Sequence, residues 1–406
     1  MFFVAIICVS RTVHLDRNSF METYAVCHET LSQLGEEIPK SLQSCQISEM
    51  FEATSNMLQS ISDSDLLQMK EMDERLSMSM NFYSILATAA FFGKSEMLPV
   101  VACRMAQLTL EKGLCIHSII SFVIYAMVLC NGNIVENNID GASRIGKAAM
   151  SCSMKRYHTS EQLPYLYLVY YGFIAPYTEP LQSCAEMLRQ GFDAGMSLGE
   201  TGIAFLNSCL HIRFAIVAGD RLPTLSEKVD YYLKLANTHQ NEIAKAVLSV
   251  HRETISILIY KGGLSSSPHA IDTANEKISE SVNFFRAIQS YWQGYSERCQ
   301  HYIRKFNLFM SSSIWKRQLI TFIDGMNSFQ LLKRTSNGRL RSIPRNAIMV
   351  LKAAASLSSW NWRNKVRYNH PHFGHLVVSF SLSKHDISEL AFHLLRNNLS
   401  GPPLRS

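Results

Sequence analysis

The sequence predicts an all-α chain, a right-handed superhelical solenoid of antiparallel, tetratricopeptide-like helix pairs. Three observations predict it. From about Asn18 onward apolar residues recur at the helical period. Turns such as Phe92-Gly93-Lys94, Asn131-Gly132-Asn133 and Ala218-Gly219-Asp220 close the segments, and no strand block with two-residue alternation interrupts them. Paired helices of this kind bury a continuous core only by stacking on their neighbours, and such arrays bind polypeptides more often than they house chemistry.

The elements follow in order. Asn18–Leu34 carries an apolar stripe (Phe20, Tyr24, Cys27, Leu31, Leu34) and stops at Gly35; Leu42–Leu58 comes next. Ser62-Asp63-Ser64-Asp65 suits a helix N-cap, after which one long helix is expected over Leu66–Phe92. A helix over Ser95–Lys112 ends at Gly113. Further helices are expected over Cys115–Leu129, Asn137–Met154, Ser160–Ile174, Glu179–Leu198, Gly202–Val217, Thr224–Thr238 and Glu242–Lys261. Beyond a loop they continue over Ala274–Gln293, Gly294–Met310, Ser312–Lys333, Arg345–Ser358, Asn361–Ser381 and Lys384–Asn397. The chain thus divides into an irregular segment 1–16, helical repeats 17–262, a loop 263–273, strongly basic continuing repeats 274–398 and a tail 399–406. In the turn Tyr291-Trp292-Gln293-Gly294-Tyr295-Ser296-Glu297-Arg298-Cys299, an aromatic helix end meets Gly, then an aromatic, then a small residue where a second helix must pass close. That is tetratricopeptide grammar, with Cys299 where Ala is usual.

A chain of 406 residues suits an array whose length is not limited by core size. Its ten cysteines form no CxxC pair and fall mostly at apolar helix positions, which reads as reduced packing residues of a cytosolic protein. The apolar start, Met1–Ser10, lacks a basic region and a cleavage site, against a signal peptide. The most apolar stretch, Leu114–Cys130, is shorter than the roughly 20 residues of a membrane span and is expected as a buried helix. The net charge of +6 is unevenly placed. From Ile303 to the end 16 Lys and Arg face three acids, a net of +13, while the preceding 302 residues carry 23 basic and 30 acidic groups, a net of −7. Such asymmetry marks either an anionic partner or ordinary solvated helix faces.

The order of elements resembles a family: the tetratricopeptide-like helical region of large signalling proteins in which a serine/threonine kinase domain and a predicted ATPase precede the helices and a hybrid sensor histidine kinase often follows. The residues carrying the resemblance are Leu34-Gly35-Glu36-Glu37-Ile38-Pro39, the run Val101-Ala102-Cys103-Arg104-Met105-Ala106-Gln107-Leu108-Thr109-Leu110-Glu111-Lys112-Gly113, and Arg144-Ile145-Gly146-Lys147-Ala148-Ala149. Gly219-Asp220 before Tyr231-Tyr232-Leu233-Lys234-Leu235-Ala236, and Trp362-Arg363-Asn364-Lys365, complete it. The resemblance implies the middle of a larger architecture, whether a truncated piece, a stand-alone derivative or a chain that pairs with another.

Several motifs compete with packing. Gly141-Ala142-Ser143-Arg144-Ile145-Gly146-Lys147-Ala148 nearly fits a phosphate loop, but Ala148 offers no hydroxyl for magnesium and no buried strand precedes it. His370, His372 and His375, with His385 and Asp386 nearby, lack a complete zinc spacing and are interrupted by Pro371. Trp360, Trp362, Arg363, Lys365, Arg367 and Tyr368 mix aromatic and basic groups as a single-strand nucleic-acid surface does, and equally as packed helices do. No HExxH, GxSxG or kinase catalytic loop occurs, so no catalytic residue, cofactor or metal ligand is assigned. The expectation is a non-catalytic protein-interaction or regulatory module in cytoplasmic signal transduction, without a membrane span, binding other proteins or the missing domains through a concave groove lined by alternate helices. The alternative is a helical-repeat protein that binds RNA or an anionic surface through Arg339, Arg341, Arg345, Arg363, Lys365 and Arg367. An enzyme with a pocket between helices stands third.

Overall fold

The computed structural model describes residues 17–36, 38–39, 43–93, 96–131, 138–157, 161–260 and 276–307, with positions 319, 320, 323, 324 and 327. Among these residues the fold is all-helical, and its one strand-like feature is an isolated parallel bridge between Glu71 and Leu114. The expected segment 1–16, the loop 263–273, the helices from Arg345 onward and the tail 399–406 lie outside the described residues.

Helix α1 (Arg17–Gln33) and helix α2 (Ser44–Gln59) fall within two residues of their expected bounds. The expected single helix Leu66–Phe92 is two helices, α3 (Asp63–Gln68) and α4 (Glu74–Gly93). Each half has its own cap. The Ser62 hydroxyl accepts from the Asp65 amide at 3.1 Å, and the Asp73 carboxylate accepts from the Leu76 amide at 3.0 Å. The residues between are held from outside: the Lys70 carbonyl accepts from the Leu114 amide at 2.9 Å, and the Met72 amide donates to the Leu114 carbonyl at 2.8 Å. This pair of bonds ties the α3–α4 connection to the one between α5 (Leu98–Lys112) and α6 (Ser118–Asn131). Gly113 makes it feasible. Its φ is 115°, and a Cβ there would lie 2.4 Å from the Lys70 carbonyl oxygen.

Helix α7 (Ile139–Cys152) runs on into wider π-type turns over Ser153–Tyr157. Helix α8 (Leu163–Val169) does the same over Tyr170–Ile174 and ends in a short 3₁₀ turn, Ala175–Tyr177. Regular periodicity predicted helix as far as Met154 and Ile174, but neither the continuation to Tyr157 nor the change of winding. Then come α9 (Leu181–Leu198), α10 (Thr201–Ala218), α11 (Leu222–Thr238) and α12 (Glu242–Tyr260), all within two residues of expectation. Helix α13 (Glu276–Trp292) and helix α14 (Ser296–Asn307) flank the predicted tight turn, where Gly294 has φ 76° and Cys299 is fully buried.

Neighbours in sequence are neighbours in space over most of the chain from α5 onward: α5 packs on α6 and α6 on α7, α7 meets the π-type turns Tyr170–Ile174 more than α8 itself, and α8 packs on α9, α9 on α10, and so on to α13 on α14. Before that, α1 packs on α4 and α2 on α5, across the short α3. Alternate helices also touch, α4 with α6, α6 with α8, α8 with α10 and α10 with α12. The reason is visible in composition. Helices α6 and α10 are apolar almost all round, and a helix of that kind must be covered on every side. Accordingly Asn207 through Ile216 are all buried, and so are Ser118 through Met127. Large side chains such as Phe205, Phe214, Phe122 and Tyr125 are fully enclosed, each stabilising the fold by about 2–3 kcal/mol. Helix α10 is the one described helix long and apolar enough to cross a membrane, and 78% of it is buried inside the fold. Helices α6 and α10 thus leave little open face to line the expected groove.

Candidate functional site

Buried polarity is concentrated where α10, α12 and α13 meet. The sequence places Arg213 within the apolar run of α10, and packing buries it. Its guanidinium donates to the Ser281 hydroxyl of α13, its Nε finds no partner, and Glu280 supplies the opposing charge. On α12, His251 is 0% exposed; its ring meets the Phe285 ring edge-on at 4.5 Å, and neither ring nitrogen has a hydrogen-bond partner. Burial first, and the Arg213 charge second, push its pKa well below the ordinary imidazole value.

The seam runs one turn further along the same helices. The Gln289 side chain donates to the Thr254 hydroxyl at 2.7 Å and to the Val250 carbonyl at 3.4 Å. Arg286, 7% exposed, pairs with Glu253 at 2.6 Å and donates to Gln289 at 2.9 Å. Positions 281, 285 and 289 are four apart, so one stripe of α13 presents a hydroxyl, an aromatic ring and an amide to its neighbours. An interface built this way is specific but contributes less hydrophobic stabilisation than an apolar one, and its unmet hydrogen bonds cost energy.

Two other polar knots sit between helices. Glu36 accepts from Arg104 Nη2 at 2.9 Å, from Arg104 Nε at 3.1 Å and from the Tyr83 hydroxyl at 3.0 Å, all on one carboxylate oxygen. This knot anchors the segment after α1, whose Ile38 carbonyl also lies 2.9 Å from His28 Nε2. Further on, His211 of α10 and Tyr232 of α11 share a hydrogen bond of 2.9 Å. Burial, then Lys228 and Arg189, lower the His211 pKa to about 3, against an opposing pull from Glu186.

The residues singled out from sequence are placed as follows. Gly141–Ala148 lie inside α7: Asn138 caps the helix by accepting from the Gly141 amide at 2.8 Å, and Lys147 is exposed. Gly146 serves packing, since a Cβ there would sit 2.6 Å from the Tyr170 ring. Helical backbone across this segment leaves no loop of amides to wrap a phosphate. Arg339, Arg341, Arg345, Arg363, Lys365 and Arg367 lie outside the described residues, as do Trp360, Trp362, Tyr368, His370, His372, His375, His385 and Asp386. Among the described residues no group of three or more His, Cys, Asp or Glu is placed to hold a metal, and no disulfide joins the described cysteines, of which only Cys45 is exposed. Sequence reading missed Arg213, His251, Glu280 and Arg286. The signal available was a charged or imidazole side chain on the apolar face of its helix. No protein-family profile, curated protein or solved structure matches this chain.

Proposed function

We propose that this chain is a non-catalytic helical-repeat module, tetratricopeptide-like in construction, that binds polypeptides and regulates proteins of signal transduction in the cytoplasm. The observation that carries the reading is the contact order: helices α5 to α7 and α8 to α14 each pack on the next, α7 meets the turns that follow α8, and alternate helices from α4 to α12 touch in series. A chain wound in that way has a one-dimensional core and a large outer surface for its size. Because α6 and α10 are enclosed, binding in this reading falls to the outer faces and the turns, where Met154, Tyr231 and Tyr295 are more than half exposed. Aromatic and methionine side chains on a surface are suited to anchoring a polypeptide. The kinship with the middle region of kinase and ATPase signalling proteins belongs to the same proposal, on the residues that carry the resemblance.

The test is capture by the immobilised full chain of proteins bearing kinase, ATPase or sensor domains, repeated with Tyr231→Asp and Tyr295→Asp. Selective capture that survives 0.5 M salt and weakens at least about ten-fold in either variant supports the reading. Turnover of ATP or of another small substrate by the purified chain overturns it.

A further inference from the structure

The seam between α10, α12 and α13 has a property that neither apolar packing nor a matched ion pair explains. His251 is wholly buried with both ring nitrogens unpartnered, and the Arg213 charge lies close enough to act on it. The charges of the seam are already committed. On α13, Glu280 offsets Arg213 of α10; Glu253 of α12 itself holds Arg286 of α13 at 2.6 Å; and on the α11 side Arg252 pairs with Asp230 at 2.8 Å. A proton on His251 would therefore place a second cation beside the Arg213 guanidinium, and the carboxylates named here are already engaged. Burial makes that arrangement costly, whereas water would solvate the imidazolium freely. Separation of the interface lets the proton gain hydration without unfolding the rest.

We propose that the seam is an acid-sensitive latch: protonation of His251 releases the α13–α14 pair, as a unit, from α10 and α12. The pair is able to move together because α13 and α14 pack closely on each other, while one stripe of α13 meets α10 through Ser281 and α12 through Phe285 and Gln289. The latch is independent of what the module binds. With an imidazole of ordinary affinity for protons in the open form, the open population rises about ten-fold for each pH unit below roughly 6.5.

Hydrogen exchange of the full chain, read by mass spectrometry at pH 7.5 and pH 5.5 and corrected for the intrinsic exchange rate, tests this directly. Peptides spanning 276–307 should lose about ten-fold in protection at pH 5.5, while peptides spanning 44–93, which contain no histidine, keep theirs. In His251→Gln, which cannot take up the proton, the pH-dependent loss over 276–307 should vanish, and any loss over α11 arising from His211 should remain. His251→Leu, which suits the Phe285 contact, serves the same comparison if the glutamine variant folds poorly. Uniform loss of protection across all helices, full retention over 276–307 in the natural chain, or an unchanged pH response in the variants each overturn the latch. Should neither variant fold, the order in which helices lose protection in the natural chain decides by itself.

Discussion

Single residues carry the polar energetics of this fold, and two of them make opposite predictions about pH and mutation. Glu36 gathers three donors on one oxygen, so Glu36→Leu leaves the buried Tyr83 hydroxyl and the partly exposed Arg104 unmatched. We expect a loss of about 1–3 kcal/mol by urea unfolding, discounted because Arg104 still reaches water, whereas Tyr83→Phe should cost only about 1 kcal/mol. The histidines set the acid limb. His211 is held near 3 in the folded state against about 6.5 in the unfolded chain, so the unfolded state binds the extra proton as pH falls. Stability from this neutral histidine is complete above about pH 6.5 and declines below it, by about 2 kcal/mol at pH 5. His117 and His251 shift in the same direction, so their contributions act in the same window. Chemical denaturation at pH 7.5, 6.0 and 5.0 measures the slope; a flat profile contradicts the burial of these rings.

At the level of elements, the connection between α3 and α4 shows how a contact distant in sequence interrupts a helix that periodicity would continue. Asp73 offers a second cap, and the amide and carbonyl of Leu114 take the hydrogen bonds that residues 70–72 give up by leaving the helix. Gly113 is the permissive residue. Gly113→Ala must relieve a Cβ 2.4 Å from the Lys70 oxygen at a φ that disfavours side chains, and should cost about 3 kcal/mol or more, with protection lost in both connections. Lys147→Ala, on the exposed side of α7, should stay within about 0.5 kcal/mol of the natural chain and leave ATP binding undetectable. Micromolar, magnesium-dependent ATP binding abolished by that substitution would reverse the assignment of 141–148 as plain helix.

For the whole molecule, the uneven charge separates the two functional readings. A partner held by phosphate contacts through Arg339, Arg341, Arg345, Arg363, Lys365 and Arg367 must release counterions, so its affinity falls steeply with salt and weakens with each charge neutralised. A polypeptide anchored by aromatic and apolar contacts responds much less. We expect RNA and anionic vesicles to bind weakly near physiological salt, by filter binding and co-sedimentation. Tight RNA binding at that salt, lost on neutralising the six residues, would favour the alternative.

The sequence by itself determined the helical class and most helix bounds among the described residues, because the 3.6-residue recurrence of apolar side chains and the cap cluster at Ser62 are local signals. It also marked the tight turn at Gly294 and the helical nature of Gly141–Ala148, where the missing hydroxyl of Ala148 spoke against phosphate chemistry. Only the tertiary structure decided that residues 69–73 leave the helix, that α6 and α10 have little open face, and that His251 faces Arg213 without a partner. Those features depend on which helices meet. Hydrogen bonds between residues 70–72 and Leu114, or a ring set against Phe285 from another helix, leave no periodicity in the local sequence.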